Sequence, residues 1–442
     1  MKLNKTLAIG AIALATSSYA TAALNIYVVA SNGDRSATQK GIETLLAANG
    51  GWHFQGNKGT ATNGSDANAL NSNYGAWNGT YSGTNVVIRT SYIGAAGAVR
   101  SLAGLQPERY VVADGSGTNS TVDIYAATNA TLNGNVTNGY TTNTPNIAFS
   151  TVFQATTPYN GTYQGITFDA LGEIQVGVSP IVFLASQGSP VTNITSQLAQ
   201  NLYGSGYLSA FQFTGNQADT NTIIYPLGRN SDAGQRYSVL AEIGYGNATA
   251  VNQWTNTITG ATTNAGDKIV HGGTVTSLAL WPRETVSGLD SGSAGNSGYT
   301  TGALLASALT ISSISPSAIK NTFGGAIPGA TAAYFVGYIT TGDYTTTVAT
   351  NSSATLLSYN GVPYTSNNLV NGAYTAWVYN RILERTDARN SSTNTLGNPK
   401  VASFKDDLTT TITTTTGNAN GGIFVGDLNV GRTADGGVVT PN

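Results

Sequence analysis

The sequence predicts an α/β fold in which mixed β-sheets are flanked by helices, and three observations carry that expectation. A buried-strand pattern, a turn of small polar residues and a helical pattern follow one another three times, at Asn25 to Asn49, Val86 to Leu105 and Ile223 to Gly244. Two further apolar runs, Gln175 to Ala185 and Ala332 to Ile339, have the length and β-branched content of core strands. The chain of 442 residues is 40% hydrophobic, enough to enclose a large core, and its length suggests two or three units.

Taken in order, Asn25 to Ala30 (NIYVVA) is a strand and Ser31-Asn32-Gly33-Asp34 a turn. A helix from Arg35 to Asn49 follows, with Ile42, Leu45 and Leu46 inward and Gly50-Gly51 as its stop. The second unit runs from Val86-Val87-Ile88-Arg89 through Gly94-Ala95-Ala96-Gly97 into a short helix carrying Val99, Leu102 and Leu105. The third runs from Ile223 to Leu227 through Gly228-Arg229-Asn230-Ser231-Asp232 into a helix from Ala233 to Ile243, ended by Gly244. There Asp232 and Gln235 have the spacing of a capping box. Asn371 to Arg385 is predicted helical, with Tyr374, Trp377, Val378 and Ile382 on one side. Segments rich in Asn, Thr, Gly and Ser, at Gly56 to Thr84, Asp114 to Asn146, Ser287 to Thr301 and Thr386 to Asn398, read as loop insertions, with no fixed internal period. Thr409 to Thr416 reads as an exposed β edge or a flexible loop.

The beginning of the chain has the order of a secretory signal peptide: Lys2 and Lys5, an apolar stretch from Leu7 to Ala15, and the small-x-small site Ala20-Thr21-Ala22. Cleavage there predicts an exported protein, periplasmic or at the cell surface, with 17 basic and 21 acidic residues and a formal charge of 17 − 21 = −4. The absence of cysteine excludes disulfides, thiolate metal sites and a lipoprotein anchor. No later segment is apolar over the ~18 residues that a membrane helix requires. Charged residues are only 9% of the chain, against a typical ~25%. Without clustered Lys and Arg, nucleic acid is not an expected partner.

Helix N-termini expose unpaired N–H groups at the positive end of a dipole, so three small-residue turns opening helices could together hold an anion. Any strand-to-helix junction uses such residues, however, and each turn alone also has a purely structural reading. Arg229 suits bidentate anion recognition, or an ion pair with Asp232 or Glu242. Catalytic constellations have little support in the sequence, and a third reading, an exported hydrolase, would require His53 or His271 beside an activated serine or carboxylate. His53 and His271, the two histidines, lie in or beside loops without metal-ligand spacing, and neither a G-x-S-x-G elbow nor a Walker loop occurs. Asp406 with Asp407, and Glu384 with Asp387, read as solvated carboxylates. The expectation is a protein that is not an enzyme and has no cofactor and no metal.

The motifs in this order resemble the phosphate-type periplasmic substrate-binding proteins of ABC importers, which have the two-lobed type II periplasmic-binding-protein fold. SYIGAAGAVRSL (Ser91 to Leu102) is similar to the family's glycine-serine turn opening a helix, and NIAFSTVFQATTPY (Asn146 to Tyr159) to its strand with an S-D pair. VGVSPIVFLASQGSPVTNIT (Val176 to Thr195), with Gln197 to Phe213 after it, resembles the crossing into the second lobe. GRNSDAGQR (Gly228 to Arg236) resembles the anion loop, YFVGYIT (Tyr334 to Thr340) the returning strand, and NNLVNGAYTAWVYNRIL (Asn367 to Leu383) the closing helix.

This resemblance implies one lobe formed by residues 23–175 and 346–442, a second by 176–345, and a ligand site between them. The implied ligand-binding residues are Ser31, Asn32 and Gly33; Ala95, Ala96 and Gly97; Ser150 and Thr151; and Arg229, Ala233, Gly234 and Gln235. The chain departs from the family at these positions. Ala95 or Ala96 stands for a serine, Thr151 for the aspartate of S-D, and Ala233 and Gln235 for a serine and a threonine, while Arg229 and Gly234 are kept. Each missing donor costs a buried phosphate ~1–3 kcal/mol, so three losses predict an affinity lower by roughly two decades or more. Two functions follow: binding of phosphate or another small oxyanion or polar solute, with an ABC importer as partner; or a structural or interaction role at the cell surface or in the extracellular matrix, with self-association, on a frame whose ligand site is vacated.

Overall fold

The computed structural model describes residues 23–56, 59–63, 72–112, 114–115, 140–246, 249–263, 270–282, 297–386 and 398–442. Met1 to Ala22 lies outside them, as does most of Asp114 to Asn146, Ser287 to Thr301 and Thr386 to Asn398.

Twelve strands form one mixed sheet: β1 (Leu24–Ala30), β2 (Trp52–Gly56), β3 (Gly59–Thr62), β4 (Tyr74–Tyr81), β5 (Thr84–Tyr92), β6 (Ile147–Ser150), β7 (Leu171–Ala185), β8 (Leu208–Ser209), β9 (Thr222–Pro226), β10 (Ala332–Thr340), β11 (Thr355–Leu356) and β12 (Trp377–Arg385). Their order is β8-β9-β10-β7-β12-β6-β1-β5-β4-β2-β3, with β11 beside β7. β1 lies parallel to β5 and β6, with Val28 opposite Thr90 and Ile147, and β9 lies parallel to β10. β7 joins the two halves: Leu171 to Pro180 runs antiparallel to β12, and Ile181 to Ala185 antiparallel to β10. Proline has no N–H to give, and Pro180 stands where β7 changes partner.

The helices are α1 (Arg35–Ala47), α2 (Ala95–Ala103), α3 (Ser196–Ser205), α4 (Gly234–Glu242), α5 (Gly302–Leu309) and α6 (Pro399–Thr411). In one half, α1 and α6 cover a core of Ile26, Val28, Ile42, Leu46, Trp77, Ile88, Phe149, Phe404 and Leu408. In the other, α5 covers Val182, Leu184, Tyr225, Trp254, Phe335 and Ile339. The α/β class expected from the sequence, a mixed sheet flanked by helices, is the class observed, and its three strand-turn-helix units are all present. Among the described residues no helix is long and apolar enough to cross a membrane.

Four expectations are corrected. Asn371 to Arg385 is not a helix: after the short helix Ser366–Val370 the chain enters β12, flanked by β7 and β6. A mid-sheet strand is buried on both faces, so the alternation that marks a strand disappears and its apolar residues imitate a helical stripe. Thr409 to Thr416 is neither edge nor loop but the end of α6 and a π turn, Ile412–Thr416. The hydroxyls of Thr409, Thr410, Thr411, Thr413 and Thr414 each donate to the carbonyl four residues back, which satisfies them without an outside partner. Gly56 to Thr84 is not a loop insertion but contains β3 and β4. Its glycines make room for an aromatic ring, since a methyl group on Gly75 would lie 2.2 Å from Phe54. Leu105 is not on α2; it follows the helix with φ +50° and is exposed.

Candidate functional site

The three turns singled out in the sequence open α1, α2 and α4, and none of these helices has a side-chain cap. By contrast, Thr195, Thr301 and Asn398 cap α3, α5 and α6 through their side chains. The N-cap of α4 is Ala233 rather than Asp232, because Asp232 instead faces Arg100 of α2, with Nη1 to Oδ1 at 3.8 Å. The dipole ends of three helices are therefore left to be satisfied by something other than their own caps.

All four sequence-predicted groups meet at one seam. A methyl group on Gly234 would lie 2.2 Å from Thr151 Oγ1 and 2.6 Å from Ala95 Cβ, and one on Gly33 would lie 3.1 Å from Thr151 Cγ2. Ser31, Ala95, Ala96, Gly97, Ser150, Thr151, Arg229, Ala233, Gly234 and Gln235 are buried, and Asn32 and Gly33 half-buried. At the α2 end a protein atom takes the position an anion would occupy. Ala96 N–H, in the first turn of α2, donates to the Asp232 carbonyl at 3.1 Å, and the close approach needs Gly94, whose φ is +112°. Gly33 N–H donates to Ser31 Oγ at 3.0 Å, while Ser150 Oγ donates to the Val152 carbonyl at 2.9 Å. Ser238 of α4 donates to the Thr151 carbonyl at 3.3 Å, tying the two halves across the seam.

Arg229 is 3% exposed and pairs with neither Asp232 nor Glu242. Its Nε donates to the Tyr299 carbonyl and its Nη2 to the Thr300 carbonyl, both at 3.0 Å, and its Nη1 to Gln235 Oε1. The carboxylate that acts on its charge is Asp343, which accepts from Thr340 Oγ1 at 2.9 Å and lies against Gly302 in the first turn of α5. Burial lowers the Arg229 guanidinium to about 10, with Asp343 opposing the shift. Burial likewise raises the Asp343 carboxyl, with Arg229 the first group opposing it. The donors of Arg229 are thus taken up by two carbonyls and an amide oxygen of the chain itself, and a hydroxyl and the α5 N-terminus lie beside the Asp343 carboxylate.

Three more buried charged groups were not singled out in the sequence. Asp34, the N-cap position of α1, is 1% exposed, and burial pushes its carboxyl up to about 8 against the opposing Ser31 hydroxyl and Arg381. Arg381 of β12 is fully buried, stacked 3.4 Å from the Phe153 ring centroid, and flanked by Glu173 at 3.5 Å and Asp435 at 3.9 Å. Asp435 comes from the C-terminal segment and accepts from Phe153 N–H at 2.8 Å and Thr156 Oγ1 at 2.7 Å. A signal for Asp34 existed, an acidic residue at a helix start in a chain poor in charge. Arg381 was hidden by the helical reading of its strand.

His53 lies exposed on β2 and His271 buried in Val270–His271, so both stand on strands rather than in loops, and no metal-binding cluster of His, Cys, Asp and Glu occurs among the described residues. Asp406 is exposed beside Lys405, and Asp407 accepts from Tyr81 Oη at 2.6 Å. Glu384 pairs with Lys405 at 3.1 Å, and Asp387 lies outside the described residues.

No family model and no curated protein matches the chain. Among solved structures it is similar to an ABC-type phosphate transport receptor from Vibrio cholerae, at 12% identity over 86% of this chain and 93% of that one, with a TM-score of 0.37. It is also similar to PstS from Borrelia burgdorferi, at 11% identity over 91% of this chain and 98% of that one, with a TM-score of 0.35.

Proposed function

We propose that this chain is an exported, non-catalytic protein on a two-lobed, binding-protein-like frame, with residues 23–175 and 346–442 in one lobe and 176–345 in the other. Its anion seat is filled from within, and it serves as a structural or interaction protein of the cell surface or extracellular matrix. The observation that carries this reading is the packed seam: the Asp232 carbonyl accepts from Ala96 N–H at the α2 N-terminus, and the buried Arg229 guanidinium is taken up by the Tyr299 and Thr300 carbonyls and Gln235 Oε1. An incoming anion would have to displace both, and its affinity would fall in proportion to the fraction of molecules in which they are displaced.

A second reading, capture of phosphate or another small oxyanion in the same seam with delivery to an ABC importer, is favoured by one observation. The helices that meet there are the ones without side-chain caps, beside a buried arginine. In that reading Ser31, Asn32, Gly33, Gly97, Thr151, Arg229, Gly234 and Gln235 line the opened seam.

Isothermal titration of the mature chain with phosphate and with sulfate separates the two. The structural reading expects no saturable heat. It also expects Arg229→Ala to cost about 1–3 kcal/mol of stability or more, because the Tyr299 and Thr300 carbonyls and Gln235 Oε1 lose their buried donor. Saturable phosphate binding that disappears in Arg229→Lys would replace it with the second reading.

A further inference from the structure

The end of the chain forms a small hairpin, Val430–Gly431 pairing antiparallel with Thr440–Pro441, and its loop lies across the two halves of the molecule. Neighbouring loop residues take hold of both halves, Arg432 reaching α4 in the second and the start of β12 at once. Arg432 donates to Glu242 Oε2 of α4 at 2.6 Å and to the Thr375 carbonyl at 2.9 Å, and its guanidinium stacks 3.9 Å from the Trp377 ring centroid. Gly436, with φ +67°, lies against the α4 backbone so closely that a methyl group there would stand 2.3 Å from the Ala241 carbonyl oxygen. Asp435, between these two, turns the other way and seats its carboxylate on Phe153 N–H and Thr156 Oγ1 beside Arg381. Phe153 and Thr156 follow β6 in the first half, whereas α4 follows β9 in the second.

The charged tips are enclosed, with the Asp435 side chain 3% and the Arg432 side chain 2% exposed. Thr433, Ala434, Gly436 and Val438 around them stand in solvent. The loop is therefore held by charge-assisted hydrogen bonds and little apolar area, the composition of a segment that opens locally without global unfolding.

We propose that this hairpin loop is a latch: Asp435 in its carboxylate seat on one half, with Arg432 and Gly436 on the other, holds the two halves closed over the seam, and the seam opens when the latch is released. The proposal does not depend on whether the seam takes a ligand.

Because the chain has no cysteine, it can be spin-labelled at will, and Lys40→Cys on α1 with Ala218→Cys beyond α3 gives one exposed label on each half. Electron–electron distance measurements would compare the otherwise intact mature chain with Asp435→Asn, with Asp435→Asn/Arg432→Gln, and with a chain ending at Gly431. A longer distance component is expected, growing in that order. In Asp435→Asn the Phe153 amide should exchange roughly ten- to a hundredfold faster, the equivalent of one lost charge-assisted hydrogen bond. A peptide of residues 427–442, but not its Asp435→Asn form, should return the shortened chain to the short distance. Full-length point variants that keep both the single short distance and the slow Phe153 exchange overturn the proposal, whatever the shortened chain does.

Discussion

Asp34 shows how one buried carboxyl ties the seam to pH. Its folded value of about 8 lies above its ordinary 3.8, so between these values the folded chain holds a proton that the unfolded chain lacks. Its contribution is therefore fully stabilising below about pH 4 and is lost as pH rises through about 8, by at most about 1.4 kcal/mol per pH unit. Asp34→Asn keeps the shape and removes the titration. In thermal melts from pH 4 to pH 9, the variant is expected to match the parent chain at pH 4 and to become progressively more stable than it toward pH 8; parallel curves would show that Asp34 keeps an ordinary carboxyl. At this scale the sequence was partly legible. The small residues of the turns announce themselves locally, and Gly33, Ala95, Thr151 and Gly234 do lie together. The carboxylates of Asp343 and Asp435 could not be read in the same way, because what they do is set by Arg229, 114 positions away, and by Phe153, 282 positions away.

Among the elements, α6 and its π turn carry a run of threonines against their intrinsic preference, since threonine loses side-chain freedom in a helix and bonds back to its own carbonyls. Burial pays for this on one face only: Leu408 and Ile412 pack on Gly41 of α1, and Thr416 donates to the Ala37 carbonyl at 2.9 Å. Thr410 is exposed and bonds only back to Asp406. Thr410→Ala is expected to raise stability by roughly 0.3–0.7 kcal/mol in urea unfolding, and a loss would mean that the hydroxyl has an outside partner. β12 fails for the opposite reason. Local preference for a strand is plain in Trp377, Val378, Tyr379 and Ile382, but only the flanking β7 and β6 explain why Asn380 and Arg381 are buried there too. The buried strands Gln175 to Ala185 and Ala332 to Ile339 were legible because their runs are almost wholly apolar, whereas the polar Asn380 and Arg381 interrupt the run of β12 and leave a helical spacing.

For the whole molecule, β7 decides how far the two halves are independent. Val176 belongs to the core under α1 and α6, Val178 and Ile181 to the core shared with α3 and β12, and Val182 and Leu184 to the core under α5. A single strand that threads all three cores couples their unfolding, even if the seam between the turns opens and closes in the native state. Trp77 lies in the first core and Trp254 in the third, and both are buried, so variants keeping one or the other as sole tryptophan report the halves separately. Their denaturation midpoints are expected to coincide, as in a two-state transition. Ile181→Ala, at the point where β7 passes from β12 to β10, should lower both midpoints together by the equivalent of about 2–5 kcal/mol. Separated midpoints would show instead that the halves fold alone, and would leave the C-terminal hairpin, rather than the sheet, as the principal connection between them.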